Sequence, residues 1–212
     1  MNQKLTILFD LDGTLVNTAP DLMHAHNHVM RKYGFEEREL SDIKKLAGRG
    51  SKVMLTRSMH ELAELSGKVK KTNDKIEEMT KDFIDYYSKN IFNESTLKKG
   101  LVDFLSWCKK NSISMAVCTN KQEHLSIDLL KKIKIYNFFE FVAGGNTFNH
   151  NKPDPKHLTD TVEILNGDIK KTLMIGDSET DANASKAANI PFVLIRDGYT
   201  EKRTNEIYHN HL

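Results

Sequence analysis

Five short apolar runs punctuate the chain, at Leu5–Phe9, Ile113–Cys118, Phe138–Ala143, Thr172–Ile175 and Pro191–Ile195. They are nearly continuous rather than alternating, which is the pattern of parallel strands buried on both faces. From residue 97 onward, segments of helical length separate them. Gly100–Lys110 carries Leu101, Phe104, Leu105 and Cys108 in a 3.6-residue rhythm; Glu123–Ile133 and Asp154–Leu165 read similarly, the second with Pro155 near its first turn. Ser178–Asn189 is a further helix candidate, rich in alanine. This alternation predicts an α/β fold built on a doubly wound parallel sheet.

The 80 residues from Asn17 to Thr96 break the rhythm and contain no convincing strand. Pro20–Tyr33 sets Leu22, Ala25, Val29, Met30 and Tyr33 on one stripe, and Gly34 stops it. Lys52–Leu65 and Asn73–Asn90 read as two more amphipathic helices. The expected organisation is therefore a core of residues 1–16 and 97–212, with an all-helical cap of residues 17–96 inserted after the first strand.

Three of the apolar runs end in polar residues. Leu5–Phe9 leads into Asp10-Leu11-Asp12-Gly13-Thr14, Ile113–Cys118 into Thr119-Asn120-Lys121, and Leu173-Met174-Ile175 into Gly176-Asp177-Ser178-Glu179-Thr180-Asp181. In a doubly wound sheet the carboxyl ends of the strands form the ligand crevice. One such carboxylate is readily a helix N-cap; three at one rim form a site. Asp10 and Asp12, two apart on an extended backbone, point to the same side. Gly13 lets the backbone turn sharply and offer its N–H to an anion. Adding Asp177 makes an acidic, oxygen-only cluster that suits Mg²⁺ and not zinc, since no Cys or His is in place. Lys152, in Asn151-Lys152-Pro153-Asp154-Pro155, offers the compensating positive charge.

Composition narrows the class. With 28% charged residues and 39% hydrophobic ones, the chain is an ordinary globular sequence. Its net charge of +2 is scattered, which argues against a nucleic-acid partner. No apolar run approaches the ~18 residues of a membrane span, and Met1-Asn2-Gln3-Lys4 does not open a signal peptide. The cysteines, Cys108 and Cys118, lack metal-ligand spacing and predict a reducing, cytoplasmic setting, with Cys118 a buried strand-end residue.

Asp10-Leu11-Asp12-Gly13-Thr14-Leu15-Val16, Thr119-Asn120, Lys152-Pro153 and Gly176-Asp177-Ser178 with Asp181 resemble, in order, the four motifs of the haloacid dehalogenase superfamily. The helical insertion resembles the mobile cap of its small-substrate members. Asn17-Thr18-Ala19-Pro20-Asp21-Leu22, Gly48-Arg49-Gly50, Gly144-Gly145, Lys152-Pro153-Asp154-Pro155 and Gly198-Tyr199 look closest to its bacterial phosphoglycolate phosphatase group; Asn146, where that group often has Asp, departs from it. The resemblance implies a Mg²⁺-dependent phosphatase for a small phosphate monoester, with 2-phosphoglycolate foremost. Asp10 would form an aspartyl-phosphate, and Asp12 would serve as general acid and base. The metal would sit on Asp10, the Asp12 carbonyl and Asp177, with Asp181 orienting ligands from just outside. Gly13, Thr119, Asn120 and Lys152 would hold the phosphoryl oxygens. A monomer or weak homodimer is expected.

Other readings compete. A phosphomutase of the same superfamily shares all four motifs. A receiver-type domain would lack both the cap and the second aspartate, and a dehalogenase needs neither that aspartate nor a metal. Arg49, between two glycines, is either a solvated loop residue or the guanidinium that meets a substrate carboxylate when the loop dips over the site. The remaining residues read more plainly. Trp107, Phe138, Phe139 and Phe141 belong to the core, Met54 and Met59 to cap packing, and His24, His26 and His28 to the surface or cap packing. His209 and His211 lie in a polar tail, and Lys68-Val69-Lys70-Lys71 in a solvated loop.

Overall fold

A computed structural model describes residues 4–66 and 75–211. The expected loop at residues 68–71 lies outside them. Five parallel strands form the main sheet: β1 (Thr6–Phe9), β4 (Ser114–Cys118), β5 (Phe141–Ala143), β6 (Thr172–Gly176) and β7 (Phe192–Leu194), in the order β5-β4-β1-β6-β7. The chain winds outward from β1 through β4 to β5, then returns to the other side of β1 for β6 and β7. The carboxyl end of β1 is therefore the switch point where such sheets open a crevice.

Helices cover both faces, which is why the strands read as apolar runs rather than alternations. Ile7 and Phe9 face a core layer with Leu105, Cys108, Leu125 and Leu129, from α5 (Leu101–Lys110) and α6 (Glu123–Lys132). Leu8 faces the opposite layer, with Leu158 and Val162 of α7 (Lys156–Ile164) and Ala182 and Ala184 of α8 (Glu179–Ala188). The α/β doubly wound architecture is as the sequence predicts.

Between β2 (Val16–Asn17) and β3 (Thr96–Leu97) the described residues form four α-helices: α1 (Ala19–Tyr33), α2 (Leu40–Leu46), α3 (Ser51–Ser66) and α4 (Ile76–Lys89). The start of α1 has Pro20 and Asp21, its last turn has Arg31 and Lys32, and Gly34 ends it in the left-handed conformation at φ 76°. Two features escape the sequence reading. α2 is a seven-residue helix with only Ile43 and Leu46 buried. The strands β2 and β3 pair antiparallel, Val16 with Leu97 and Asn17 with Thr96, so the chain leaves for the helices and returns from them along one two-stranded ribbon. The buried side chains of α1, α3 and α4 (Leu22, Val29, Met54, Met59, Phe83 and Tyr87) run continuously into the Ile7–Phe9 core layer.

Two expectations need correction, at Trp107 and in the tail, while His26 falls to cap packing, one of the two readings given for it. Trp107 is 55% exposed, because Leu101, Leu105 and Cys108 take the buried face of α5 and leave Phe104 and Trp107 stacked on its outer side. The tail is not merely polar: Ile207 is buried, and His211 bridges Val193 and accepts the Leu194 N–H, so the chain end lies along β7. His26 is fully buried, its ring between the Ser58 hydroxyl (2.9 Å) and the Asn27 amide (3.1 Å). Burial holds its pKa below the ordinary histidine value.

Candidate active site

Phe9 lies in register with Val117 on one side and Ile175 on the other. The three strands therefore end together, and Asp10, Thr119 and Asp177 enter one crevice. All three side chains are buried. The two carboxylates are held by donors from distant parts of the chain, and the Thr119 hydroxyl accepts from the Lys121 N–H at 3.2 Å. Asp10 Oδ1 accepts from Lys152 Nζ at 2.8 Å. Asp177 Oδ1 accepts from the Thr14 hydroxyl at 2.7 Å, and its Oδ2 from the Tyr199 N–H at 2.6 Å. Asp181 Oδ1 takes a second bond from Lys152, at 2.6 Å; its Oδ2 receives the Ser178 hydroxyl and the N–H groups of Asp177 and Ser178.

Carboxylate oxygens of Asp10, Asp177 and Asp181 all lie within 4.8 Å of one another. Lys152 is bonded to two of these three buried carboxylates, and their crowding weighs against all three being ionised. Burial, together with the neighbouring aspartates and despite Lys152, pushes Asp10 up to about 6. Burial and then Asp10 and Asp181 push Asp177 well above the usual carboxylate range. A divalent cation would remove that penalty, and a purely oxygen donor set suits Mg²⁺. Both oxygens of Asp181 accept from protein donors, as do both oxygens of Asp177.

Gly13 is required here for a different reason from the expected one. Its N–H is taken by the Val16 carbonyl at 2.7 Å, which removes it from phosphate binding. Its φ is 88°, and a Cβ on it would sit 2.2 Å from Asp177 Oδ2; one on Gly198 would sit 2.5 Å from the same oxygen. The two glycines let the backbone close around that carboxylate.

Asp12 sits in a separate network. Its Oδ1 accepts from the Thr18 hydroxyl at 2.6 Å, just before α1, and both its oxygens accept from Lys121 Nζ, at 2.9 and 3.1 Å. Lys121 also donates to the Tyr87 hydroxyl of α4, at 2.9 Å. Sequence reasoning passed over Lys121, although it directly follows Thr119-Asn120. Its partners lie 109 and 34 residues away, and no local spacing announces them.

Asp10, Asp12, Thr119, Asn120 and Lys121 line a pocket of about 520 Å³, partly open to solvent, whose other walls include Gly48, Gly50, Met54, Phe83 and Tyr87. The glycine-flanked loop does come down onto the core: Asn120 Nδ2 donates to the Gly48 carbonyl at 3.2 Å and to the Lys152 carbonyl at 2.9 Å. Arg49 itself is elsewhere. Its guanidinium pairs with Glu179 at 3.0 Å, partly in solvent, and it is not one of the pocket-lining residues. Asn146 accepts the Glu123 N–H at 2.9 Å, so an amide oxygen caps α6 where an aspartate oxygen would otherwise serve.

The chain is 36% identical over 200 residues to a phosphoglycolate phosphatase of Mesorhizobium japonicum, covering 94% of this chain and 86% of that one. It is 37% identical over 198 residues to one of Caulobacter vibrioides, covering 93% and 81%. The crystal structure of a predicted phosphoglycolate phosphatase from Haemophilus somnus superposes with a TM-score of 0.89 at 28% identity, over 96% of this chain and 90% of that one. Residues 7–195 match the family described as haloacid dehalogenase-like hydrolase. With its strand ends, acidic cluster and inserted helices arranged as above, the chain belongs to the haloacid dehalogenase-like hydrolases.

Proposed function

We propose that the chain hydrolyses 2-phosphoglycolate, or a close relative among small phosphate monoesters, through a phosphorylated Asp10. The observation that carries this is the pairing of Asp10 and Asp12: both open into one pocket, and each has its own buried ammonium, Lys152 for the first and Lys121 for the second. An attacking carboxylate and a proton-handling carboxylate are thus held apart in role by their surroundings.

In this reading an Asp10 oxygen attacks phosphorus, and the ester P–O bond breaks as Asp12 gives its proton to the departing alkoxide. Asp12 then takes a proton from water as that water attacks phosphorus, and the bond to Asp10 breaks to release phosphate. Thr119 and Lys152 steady the phosphoryl oxygens, while Asn120 ties the loop of Lys152 to that of Gly48. Mg²⁺ held by Asp10, Asp177 and the Asp12 carbonyl would supply positive charge against the phosphoryl group.

Phosphate release across a panel of small monoesters, with Mg²⁺ and with excess chelator, tests the proposal. The expected result is Mg²⁺-dependent release, with 2-phosphoglycolate preferred. Full activity in chelator removes the metal from the reading, and conversion of a hexose 1-phosphate to its isomer without phosphate release replaces phosphatase by mutase. The metal also has a readout apart from turnover: Mg²⁺ should raise the melting temperature of the protein, and Asp177→Asn should abolish most of that rise.

A further inference from the structure

We propose that Lys121, with Tyr87, is the receptor for a second anionic group on the substrate. The inference rests on the phosphatase reading and names the feature of the ester that the site selects. Lys121 and Arg49 are the candidates for such a contact, and the structure separates them: Arg49 is paired with Glu179, whereas Lys121 is the sole Lys or Arg among the described residues lining the pocket.

Position makes the argument. The ester oxygen that leaves phosphorus must lie against Asp12, which protonates it. A carboxylate carried on the next carbon has its oxygens three bonds beyond that ester oxygen, within reach of a group beside Asp12. Lys121 Nζ is 2.9 and 3.1 Å from the two oxygens of Asp12, on the side that meets the cap through Tyr87. Lys152 is committed to Asp10 and Asp181, beneath the phosphoryl position. The two ammonium groups thus have different posts: Lys121 lines the pocket beside Asp12, while Lys152 is bonded to Asp10 outside that lining.

The chemistry of the present partners allows the exchange. An ammonium has three N–H donors. In the structure they are shared between a carboxylate, Asp12, and a neutral oxygen, the Tyr87 hydroxyl. A substrate carboxylate displacing that neutral oxygen gains a charge-assisted bond, while an uncharged substituent gains no such bond. Burial pushes the Tyr87 hydroxyl up to about 12, so it keeps its proton and can donate to the same carboxylate. Met54, Phe83 and Leu22 form apolar walls around the pair, which strengthens the contact by excluding water. Because Tyr87 belongs to α4 and Lys121 to the loop after β4, an anion bridging them also joins the helical insertion to the core.

The test compares 2-phosphoglycolate with 2-phosphoglycolamide, which has nearly the same shape and no carboxylate charge, in the wild type and in Lys121→Met, Lys121→Arg and Tyr87→Phe. The wild type should favour the acid in kcat/KM by at least tenfold. Lys121→Met should erase that preference, Lys121→Arg should keep much of it, and Tyr87→Phe should reduce it several-fold. Tyr87→Phe stands as the check should Lys121→Met not fold, since an unchanged preference there overturns the proposal. Equal losses on both esters in Lys121→Met, or a preference erased by Arg49→Ala instead, also overturn it. A wild type that hydrolyses neither ester removes the phosphoglycolate reading on which the proposal rests, an outcome distinct from hydrolysis without preference, which removes only Lys121 as the anion receptor.

Discussion

The strand-end crevice and the helical insertion solve opposite problems. In the crevice, Asp10, Asp12, Asp177, Asp181, Lys121 and Lys152 are all buried, and every one is held by partners brought from elsewhere in the chain. In the insertion the ionic contacts lie at the surface, as with Arg31–Glu37 and Lys32–Asp82, and the interior is Leu22, Val29, Met54, Met59 and Phe83. Charge placed by a rigid sheet can do chemistry, because its geometry is fixed before the ligand arrives. An apolar helical layer supplies instead a wall that shapes the pocket and keeps water out. Asp21 is a buried carboxylate within the insertion. It lies in α1 and accepts the N–H groups of Asn93, Glu94 and Ser95 and the Ser95 hydroxyl, tying the first turn of the insertion to its last residues.

The contrast can be broken most sharply at Asp10. Asp10→Asn should lower kcat at least a thousandfold, equivalent to about 4 kcal/mol of barrier, while circular dichroism and melting show the fold intact. Removing one of three crowded carboxylates should leave the metal-free protein no less stable. A variant that keeps more than that residual activity would show that Asp10 is not the nucleophile.

Asp21→Ala turns the test around, with stability as the readout. It leaves three backbone N–H groups and a hydroxyl without their acceptor, and should cost about 3 kcal/mol in urea unfolding. A cost below about 1 kcal/mol would mean that water replaces the carboxylate readily and that the joint is looser than its geometry.

A smaller effect separates the regions by pH. Burial, with help from Lys152, lowers His157 of α7 to about 4. The unfolded chain takes up that proton near 6.5, so stability is complete above pH 6.5 and falls as pH drops toward 4, by at most about 3 kcal/mol. His157→Gln should flatten part of that slope and leave the part due to His26. An unchanged slope would assign the acid sensitivity to other groups. The least effect belongs to Trp107→Ser, expected to move stability by less than about 0.5 kcal/mol because the side chain is mostly in solvent.

How much of this was written in the sequence differs between the two regions for physical reasons. Parallel strands covered on both faces must be apolar throughout, so β1, β4 and β6 and the polar residues that end them are visible as a local pattern. The crevice needs those residues at the strand ends, which is why Asp10, Asp12, Thr119 and Asp177 stand out. Lys121 does not, since its meaning depends on Tyr87 and Asp12 arriving from other elements. Helix α2 is hidden because two buried positions in seven residues make no stripe. Trp107 misleads because aromatic bulk does not by itself mean burial: Leu101, Leu105 and Cys108 take the buried face of α5 and leave no place on it for the indole.

The ribbon of β2 and β3 has a consequence for how such a chain can change. Val16 and Leu97 are direct partners across it, so the ends of the intervening segment are only about 5 Å apart. Nothing in the sheet has to stretch or rotate if that segment is lengthened, shortened or exchanged for another with closely spaced ends. The five-stranded sheet and the inserted segment thus share one point of covalent attachment, so the register of the sheet does not depend on the length of what is inserted there.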